Sequence, residues 1–509
     1  MSTRPGPQAV PQPELSDRAL GWLRFAWDKA TTPDDWSDQG EPHPWWDRYG
    51  SPPMCVFPRF DLSEMAYTLP MLMESTPAWR EAYTRIADEL IWRFVSFWGG
   101  IDWNTLIGPD PNVDRYSPEW LCCAPEPLRG AYPLPGWTGN GVEPWGLQPD
   151  PVGADGNLFY RAWLNLTLGI RRYVAGEATE HDTFQVTGYR NRQFPWTHDR
   201  VARHLSNQLA TRPQGPHCEN TKIWPTCVTA AGLGLQLYDS LRGTDLHAPF
   251  PAWAEYARTH YMGLKPDGDL DWFAFYYDPV EDKVATLHEP YNALIFLHVL
   301  LPQEPAWATQ LYELCTRAIG FSDRRHPVVH LAKDPRMIVT ALVLARELGD
   351  TTTEARLRDE VEEHFQPRFF GEHDDRFGYW FGLDEPWPRG QLNAILAMAD
   401  AAPPGAWSRV FDQPQTDVHA EPTLRDVDFP RVAIRQARND MTARTLDVVT
   451  AVSRPEPQAT TAVTVDRLPA PSLATVELDD RPHTAWRVTG SDAIEVDLPV
   501  DHCRLRVWF

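Results

Sequence analysis

Cys218 and Cys227, with His217 and Glu219 flanking the first, are the residues of this chain best suited to moving protons or forming a covalent bond. They sit in Gly215-Pro-His217-Cys218-Glu219-Asn220-Thr221-Lys222-Ile223-Trp224-Pro225-Thr226-Cys227, a loop by its Pro and Asn content that leads into a helix. Ala231, Leu235, Tyr238 and Leu241 recur at helical spacing and predict one apolar stripe. Gly243 is placed to end that helix in the left-handed conformation. A thiol near a helix start feels the positive end of the dipole, which favours the thiolate. His217 and Glu219 could exchange protons with the other thiol. Two packed, inert thiols fit the same pattern, because free cysteine is often buried and Cys-x8-Cys is not a metal-ligand spacing.

More of the chain bears on that choice. Glu219 follows Cys218 directly, and the helix after Cys227 ends in Tyr238-Asp239-Ser240-Leu241-Arg242-Gly243-Thr244-Asp245. Upstream lies Asn157-Leu158-Phe159-Tyr160-Arg161-Ala162-Trp163-Leu164-Asn165-Leu166, and downstream Leu342-Val343-Leu344-Ala345-Arg346-Glu347-Leu348-Gly349-Asp350. In these blocks the chain resembles the linalool dehydratase/isomerase family, which carries C-E-x7-C, Y-D-x-L-x-G-T-D, N-I-M-Y-K-G-H-L-N-L and L-L-L-A-R-E-M-G-D in the same order. The resemblance covers roughly residues 45–400. It implies an (α/α)6 barrel and acid/base or covalent roles for Cys218 and Cys227. It also matches Asp47, in Trp45-Trp46-Asp47-Arg48-Tyr49-Gly50-Ser51-Pro52, to an aspartate of the family, with Tyr49 close by; a loop carboxylate paired with Arg48 remains the other reading. Relatives form rings of identical subunits, so a homo-oligomer is compatible with the resemblance.

One departure matters chemically. Where the family has the histidine of G-H-L-N-L, this chain has Trp163, and an indole does not transfer protons at neutral pH. Either His217 or His288 takes over, or the reaction needs one proton carrier fewer. Trp163, Tyr49, Tyr160, Trp224, Tyr276 and Tyr277 are the candidate substrate contacts, and of the last two only one can point inward if they lie on a strand.

Removing or shifting the hydroxyl of an allylic alcohol needs a proton at the leaving oxygen, a stabilised cation and a base. It also needs a site from which water is limited, and aromatic faces to shelter positive charge. The expected activity is therefore a lyase or isomerase acting on a hydrophobic terpenoid or prenyl-type alcohol or alkene, by dehydration, isomerisation or cyclisation. No cofactor or metal is expected, since there is no zinc spacing, no Asp-rich diphosphate motif and no phosphate loop after a strand.

The elements that must position these residues are mostly helices. A first helix is expected at about 18–27, others near 63–74 and 78–98, and more at about 157–175, 196–210, 227–242, 250–262, 289–301, 305–319, 335–348, 353–364 and 389–400. The 289–301 stretch is apolar nearly all round and predicts an inner helix. Residues 270–288 predict a hairpin, and the Pro-, Gly- and Trp-rich stretch 99–156 a long, lid-like loop. After about 410, short β-branched segments separated by Pro, Asp and Gly predict a β-sandwich-like module. The expected organisation is a tail at 1–14 without structure, an α/α-barrel domain at 15–405 and a β-rich domain at 410–509.

Composition bounds the partners. With 509 residues and a net charge of −23, the chain lacks the basic face that nucleic acid or an anionic membrane requires. Its seven cysteines, Cys55, Cys122, Cys123, Cys218, Cys227, Cys315 and Cys503, form an odd set without CxxC, which fits a reducing, cytoplasmic setting. No stretch has the length and hydrophobicity of a membrane span, and Met1-Ser-Thr-Arg-Pro has no apolar leader. Two other classes stay open. A carbohydrate-active enzyme would need two carboxylates facing one cleft, with Asp271, Asp278 and Glu289 as candidates. A non-catalytic binding or scaffold protein would treat Trp163 as the mark of a lost activity.

Overall fold

The computed structural model describes residues 13–509 apart from 38–39, 41, 48–57, 97–141, 144–145, 148, 189–190, 219–221, 280–281, 287–289, 322–324, 333 and 402. The 1–14 tail, the 99–156 loop, Cys55, Cys122 and Cys123 therefore fall wholly or largely outside the described residues, as do Tyr49, Glu219, His288 and Glu289.

Up to residue 412 the chain is mainly helical, with short hairpins between helices. The helices are α1 (Asp17–Thr31), α2 (Pro58–Glu64), α3 (Thr68–Met73), α4 (Glu81–Val95), α5 (Leu158–Ala175), α6 (His198–Thr211), α7 (Pro225–Arg242), α8 (Phe250–His260), α9 (Leu294–Leu300), α10 (Pro305–Ile319), α11 (Val328–Ala332), α12 (Pro335–Leu348), α13 (Thr351–His364), α14 (Gly390–Ala401) and α15 (Ala406–Asp412). Most of the expected helices appear within a few residues. The expected 63–74 helix is instead three pieces, α2, a 3-10 turn at Met65–Tyr67, and α3. Pro70 accounts for the break, because it has no N–H to offer the Ala66 carbonyl and its ring would clash there, so the ladder tightens one turn earlier. Residues 289–301 likewise begin as a 3-10 turn, Pro290–Ala293, before the inner helix α9.

The helix after Cys227 is more deeply buried than a single stripe implies. In α7, Val228, Ala230, Ala231, Leu233, Leu235 and Leu237 are all buried, so neighbours cover most of its circumference. Gly234 permits this on the α5 side. A Cβ there would lie 2.7 Å from Asn165 Nδ2 and 3.1 Å from the Leu166 backbone nitrogen, so α5 and α7 meet nearly backbone to backbone. The C-terminal cap is as expected: Gly243 has φ +66° and its N–H donates to the Asp239 carbonyl at 2.7 Å.

The expected hairpin is present and larger. Strand β6 (Leu270–Asp278) pairs with β7 (Lys283–Thr286) on one side and β5 (Met262–Leu264) on the other. Small pairs that periodicity did not reveal are β1 (Val142–Glu143) with β2 (Gly146–Leu147), β3 (Phe184–Gly188) with β4 (Arg192–Trp196), and β8 (Pro367–Phe370) with β9 (Arg376–Tyr379).

From β10 (Thr423–Arg425) onward the chain is β-rich. Two antiparallel sheets form, one with β10, β13 (Glu456–Asp466), β17 (Ile494–Val500) and β16 (Trp486–Val488). The other orders β11 (Val432–Asp440), β12 (Thr445–Val452), β18 (Arg504–Trp508), β14 (Thr475–Leu478) and β15 (Arg481–Pro482). Alternate residues face inward, as in Ile494, Val496, Leu498 and Val500 of β17. Most of these buried residues are continuous with the helical core. The last helix, α15, extends beyond the expected boundary at 405 and belongs with the helical packing, because Trp407 is fully buried and its indole N–H donates to the His298 carbonyl at 2.7 Å.

The close α5–α7 approach should be intolerant of bulk. Gly234→Val is expected to lower stability by about 1–3 kcal/mol, read as a fall in the urea midpoint at unchanged m-value.

Candidate active site

The sulfurs of Cys218 and Cys227 meet just before and within the first turn of α7. Cys218 is anchored through its N–H, which donates to the Lys222 carbonyl at 2.7 Å, and His217 through its carbonyl, which accepts from Leu158 at 3.2 Å. Cys227 lies in the first turn of α7, with its N–H donating to the Trp224 carbonyl at 3.0 Å. Both side chains are buried thiols outside any disulfide, and their sulfurs are 3.4 Å apart, within reach of an S–H···S hydrogen bond.

A second helix also ends at this pair. The Phe159 N–H, in the first turn of α5, donates to Cys218 Sγ at 3.2 Å. Cys218 thus takes a backbone donor from the α5 N-terminus, while Cys227 is carried by the α7 N-terminus. The N-terminal first turns of two helices thus converge on the two sulfurs. The sequence pointed to the α7 dipole; the α5 contribution depends on a tertiary contact that spacing along the chain does not reveal.

The surroundings are aromatic. Trp163, one turn along α5, stacks on Phe159 with ring centroids 4.0 Å apart and planes 19° apart. Phe60 meets Phe159 edge-on at 5.1 Å, and the Arg59 guanidinium lies 5.2 Å from the same ring. Trp163 is fully buried, and its indole N–H donates to the Tyr67 hydroxyl at 2.6 Å. Tyr67 in turn packs against His298 and Trp407 at 5.9 and 5.2 Å. Arg59, Tyr67 and His298 were not anticipated; the one cue in sequence was polar residues interrupting apolar runs.

The remaining candidates divide. Trp224 packs on Tyr276 at 5.0 Å, with the Lys222 ammonium 5.4 Å from the Tyr276 ring, so both aromatics border the cysteine loop. Tyr277 turns the other way, its hydroxyl donating to Asp282 at 2.9 Å, which agrees with strand alternation. Tyr160 is buried and donates its hydroxyl to the Phe94 carbonyl, which ties α5 to α4. The His217 ring lies against Asp155, with Nδ1 3.9 Å from Oδ2, and that carboxylate also binds Arg212 at 2.7 Å. Burial is the main cause that lowers the His217 pKa to about 4, with Arg212 and Arg161 acting in the same direction and Asp155 opposing, so at neutral pH the ring is uncharged.

Asp47 holds a structural position. Its oxygens accept the N–H groups of Gly390 at 2.8 Å and Gln391 at 3.1 Å, capping the start of α14. Its own N–H donates to Asp61 at 3.1 Å, and Asp61 forms a fully buried ion pair with Lys29. A carboxylate occupied in this way is a poor proton shuttle. Of the carboxylates considered for sugar cleavage, Asp271 and Asp278 lie seven residues apart on β6, with Asp271 exposed and Asp278 buried. Strand rise separates them by roughly 20 Å, far beyond the spacing of an inverting pair.

Residues 138–373 match a family model described as linalool dehydratase/isomerase. A solved GH127 β-L-arabinofuranosidase from Geobacillus Stearothermophilus T6 aligns over 99% of this chain and 76% of its own at 9% identity, with a TM-score of 0.16. A score that low carries no argument. No helix among the described residues is long and apolar enough to cross a membrane.

Two outcomes test this geometry. Asp47→Ala should lose about 1–2 kcal/mol of stability through the uncapped α14, measured by urea denaturation. His298 is 2% exposed and burial lowers its pKa from 6.5 to about 3, so it binds its proton far more readily when the chain unfolds. Its contribution to stability is complete above pH 6.5 and is lost as pH falls toward 3. Relative to His298→Leu, the wild type should therefore lose stability steadily below pH 6.5, as read from urea midpoints across pH.

Proposed function

The central segment is of the linalool dehydratase/isomerase family, and from that premise we propose that the protein is a lyase or isomerase acting on a terpenoid or prenyl-type alcohol or alkene. The observation that carries this reading is the pair of buried sulfurs, 3.4 Å apart, at the meeting point of two helix N-termini. In the proposed dehydration the leaving hydroxyl takes a proton, the C–O bond breaks and water departs, leaving an allylic cation. The sulfur pair then removes a proton from the neighbouring carbon to give the alkene. Cys227 is the base, because its helix favours the thiolate, and Cys218 is its hydrogen-bonded partner. Isomerisation is the same path with water returning to the other end of the allyl system. No electrons are exchanged and no cofactor is required.

Phe159 and Trp163 line the proposed path of the cation, where their ring faces would stabilise positive charge. Trp224 and Tyr276 form the opposite border, and Tyr160 and Asp47 act by positioning α5 and α14. Glu219 belongs to the proposed site through its place in the loop. The helices are proposed to pair as an α/α barrel around these residues, with the β-rich segment from 423 onward as a separate, bracing module.

Turnover should be sought by mass spectrometry with a panel of monoterpene and prenyl alcohols and the matching alkenes, under reducing conditions. Cys218→Ala and Cys227→Ala are each expected to lower kcat by about 10²–10⁴-fold while remaining folded. Alanine variants that match the wild type would remove the thiols from the mechanism. A wild type inert towards the whole panel would sink the lyase reading.

A further inference from the structure

The proposed reaction needs an acid for the leaving oxygen, and Trp163 cannot be that acid. Glu64, the last residue of α2, is 6% exposed, and its Oε1 accepts a long hydrogen bond from Gln391 at 3.4 Å. Its Oε2 is buried without a hydrogen-bond partner among the described residues. The charged groups around it come from four elements. Asp61 precedes it on α2 and Asp47 lies in the loop before, while Lys29 on α1 is already engaged by Asp61. Arg336 on α12 is held by Asp334 at 2.6 Å. An ionised Glu64 would therefore be a buried anion near two other carboxylates, with both nearby cations committed elsewhere, and such a group keeps its proton. Burial, reinforced by Asp61 and Asp47, raises its pKa to about 8 against the opposing pull of Gln391 and Arg336.

The next link is Tyr67, three residues on. An indole only donates, so Tyr67 must use an oxygen lone pair on Trp163. Its own O–H meets no acceptor among the described residues and is free to donate. Burial first, and then the neighbouring Glu64, hold the Tyr67 phenol well above its ordinary pKa, so it stays protonated. The Trp163 ring stacks on Phe159, whose N–H holds Cys218 Sγ. Phenol, indole and thiol are thus linked through the Trp163 hydrogen bond, the ring stack and the Phe159 N–H, and the Glu64 carboxyl lies near enough to Tyr67 for its charge to act on the phenol.

Building on the function proposed above, we propose that Glu64 is the protonated reservoir that supplies, through the Tyr67 hydroxyl, the proton required by the substrate's leaving oxygen. In balance, the Tyr67 proton passes to the departing hydroxyl and the Glu64 proton to the Tyr67 oxygen, directly or over one water. Water leaves, and the sulfur pair takes the proton lost from carbon. Return of that proton to Glu64 restores the starting state, so the net change is alcohol to alkene plus water.

Infrared difference spectra of the full-length wild type against Glu64→Gln test the protonation without any substrate. The carbonyl band of a neutral carboxylic acid should be present at pH 7, absent in the variant, and replaced by a carboxylate band as pH rises through about 8. On the alcohol found to turn over, Glu64→Gln should lower kcat about 100-fold with KM nearly unchanged, and the alkaline limb of the wild-type kcat profile near pH 8 should disappear. Glu64→Asp should recover part of kcat with that limb moved, an effect that a merely structural role would not produce. If Glu64→Gln does not fold, Glu64→Asp serves in both measurements. A carboxylate band at pH 7, or a folded Glu64→Gln with wild-type kcat and pH profile, overturns the proposal. A wild type without turnover fails the lyase reading, and the donor role with it, and is told apart because the infrared band reports Glu64 independently.

Discussion

The meeting of two helix N-termini at one pair of sulfurs constrains most of the structure around it. For the Phe159 N–H to reach Cys218 while Cys227 starts the neighbouring helix, α5 and α7 must run side by side with their first turns level. Gly234 makes that approach possible, since a side chain there would meet Asn165 and the Leu166 backbone. The helix dipole is strongest within the first turn. A displacement of α7 by one turn would therefore remove the thiols from the field of both helices, even with the fold otherwise intact.

The same burial that brings the sulfurs together sorts the nearby ionisable groups by charge. His217, His298 and His198 are all held uncharged at neutral pH, with burial as the leading cause in each. Burial acts on Glu64 and Asp61 in the opposite sense, raising both, with Lys29 partly offsetting the effect at Asp61. Where charge is kept inside it is paired or capped, as in Lys29–Asp61, Arg93–Asp34 and the Asp47 cap on α14. A cation formed from a hydrophobic alcohol would find aromatic faces and little water in such an interior, which limits its capture.

Local pattern carried much of this into view before the structure did. The helix after Cys227, its glycine cap and the hairpin beyond residue 270 follow from spacing and turn residues, because those rules act over a few residues. Block-wise likeness in order along the chain placed Cys218, Cys227 and Trp163 on related elements. The features that the sequence did not reveal depend on contacts between distant segments. Asp47 caps α14 from 343 residues away, and Tyr67 receives Trp163 across 96 residues. Neither separation leaves a periodic trace. Glu64 offered a faint one, as the only charge between positions 62 and 73, yet an isolated acidic residue in an apolar run more often marks a solvated helix edge. The division of α2 and α3 by a 3-10 turn could have been inferred from Pro70.

The β-rich segment bears on the site although no strand of it approaches the thiols in the hydrogen-bond pattern. Leu15 and Arg435 exchange bonds, the Leu15 N–H donating to the Arg435 carbonyl at 2.9 Å and the Arg435 guanidinium to the Leu15 carbonyl at 2.7 Å. Arg24, 5% exposed, donates to the Pro430 and Ala451 carbonyls, each at 3.4 Å, with Asp375 at 3.8 Å balancing its charge. These contacts fix how α1 is rotated about its axis. The same helix carries Lys29 inward to Asp61, and Asp61 accepts the Asp47 N–H while Asp47 caps α14, the helix that supplies Gln391 to Glu64. Rotation of α1 by even a fraction of a turn would pull the ammonium away from a buried carboxylate, and breaking such a pair costs far more than forming it gains. The sheets thus act at a distance, by holding the one helix whose lysine keeps the buried acidic cluster in register.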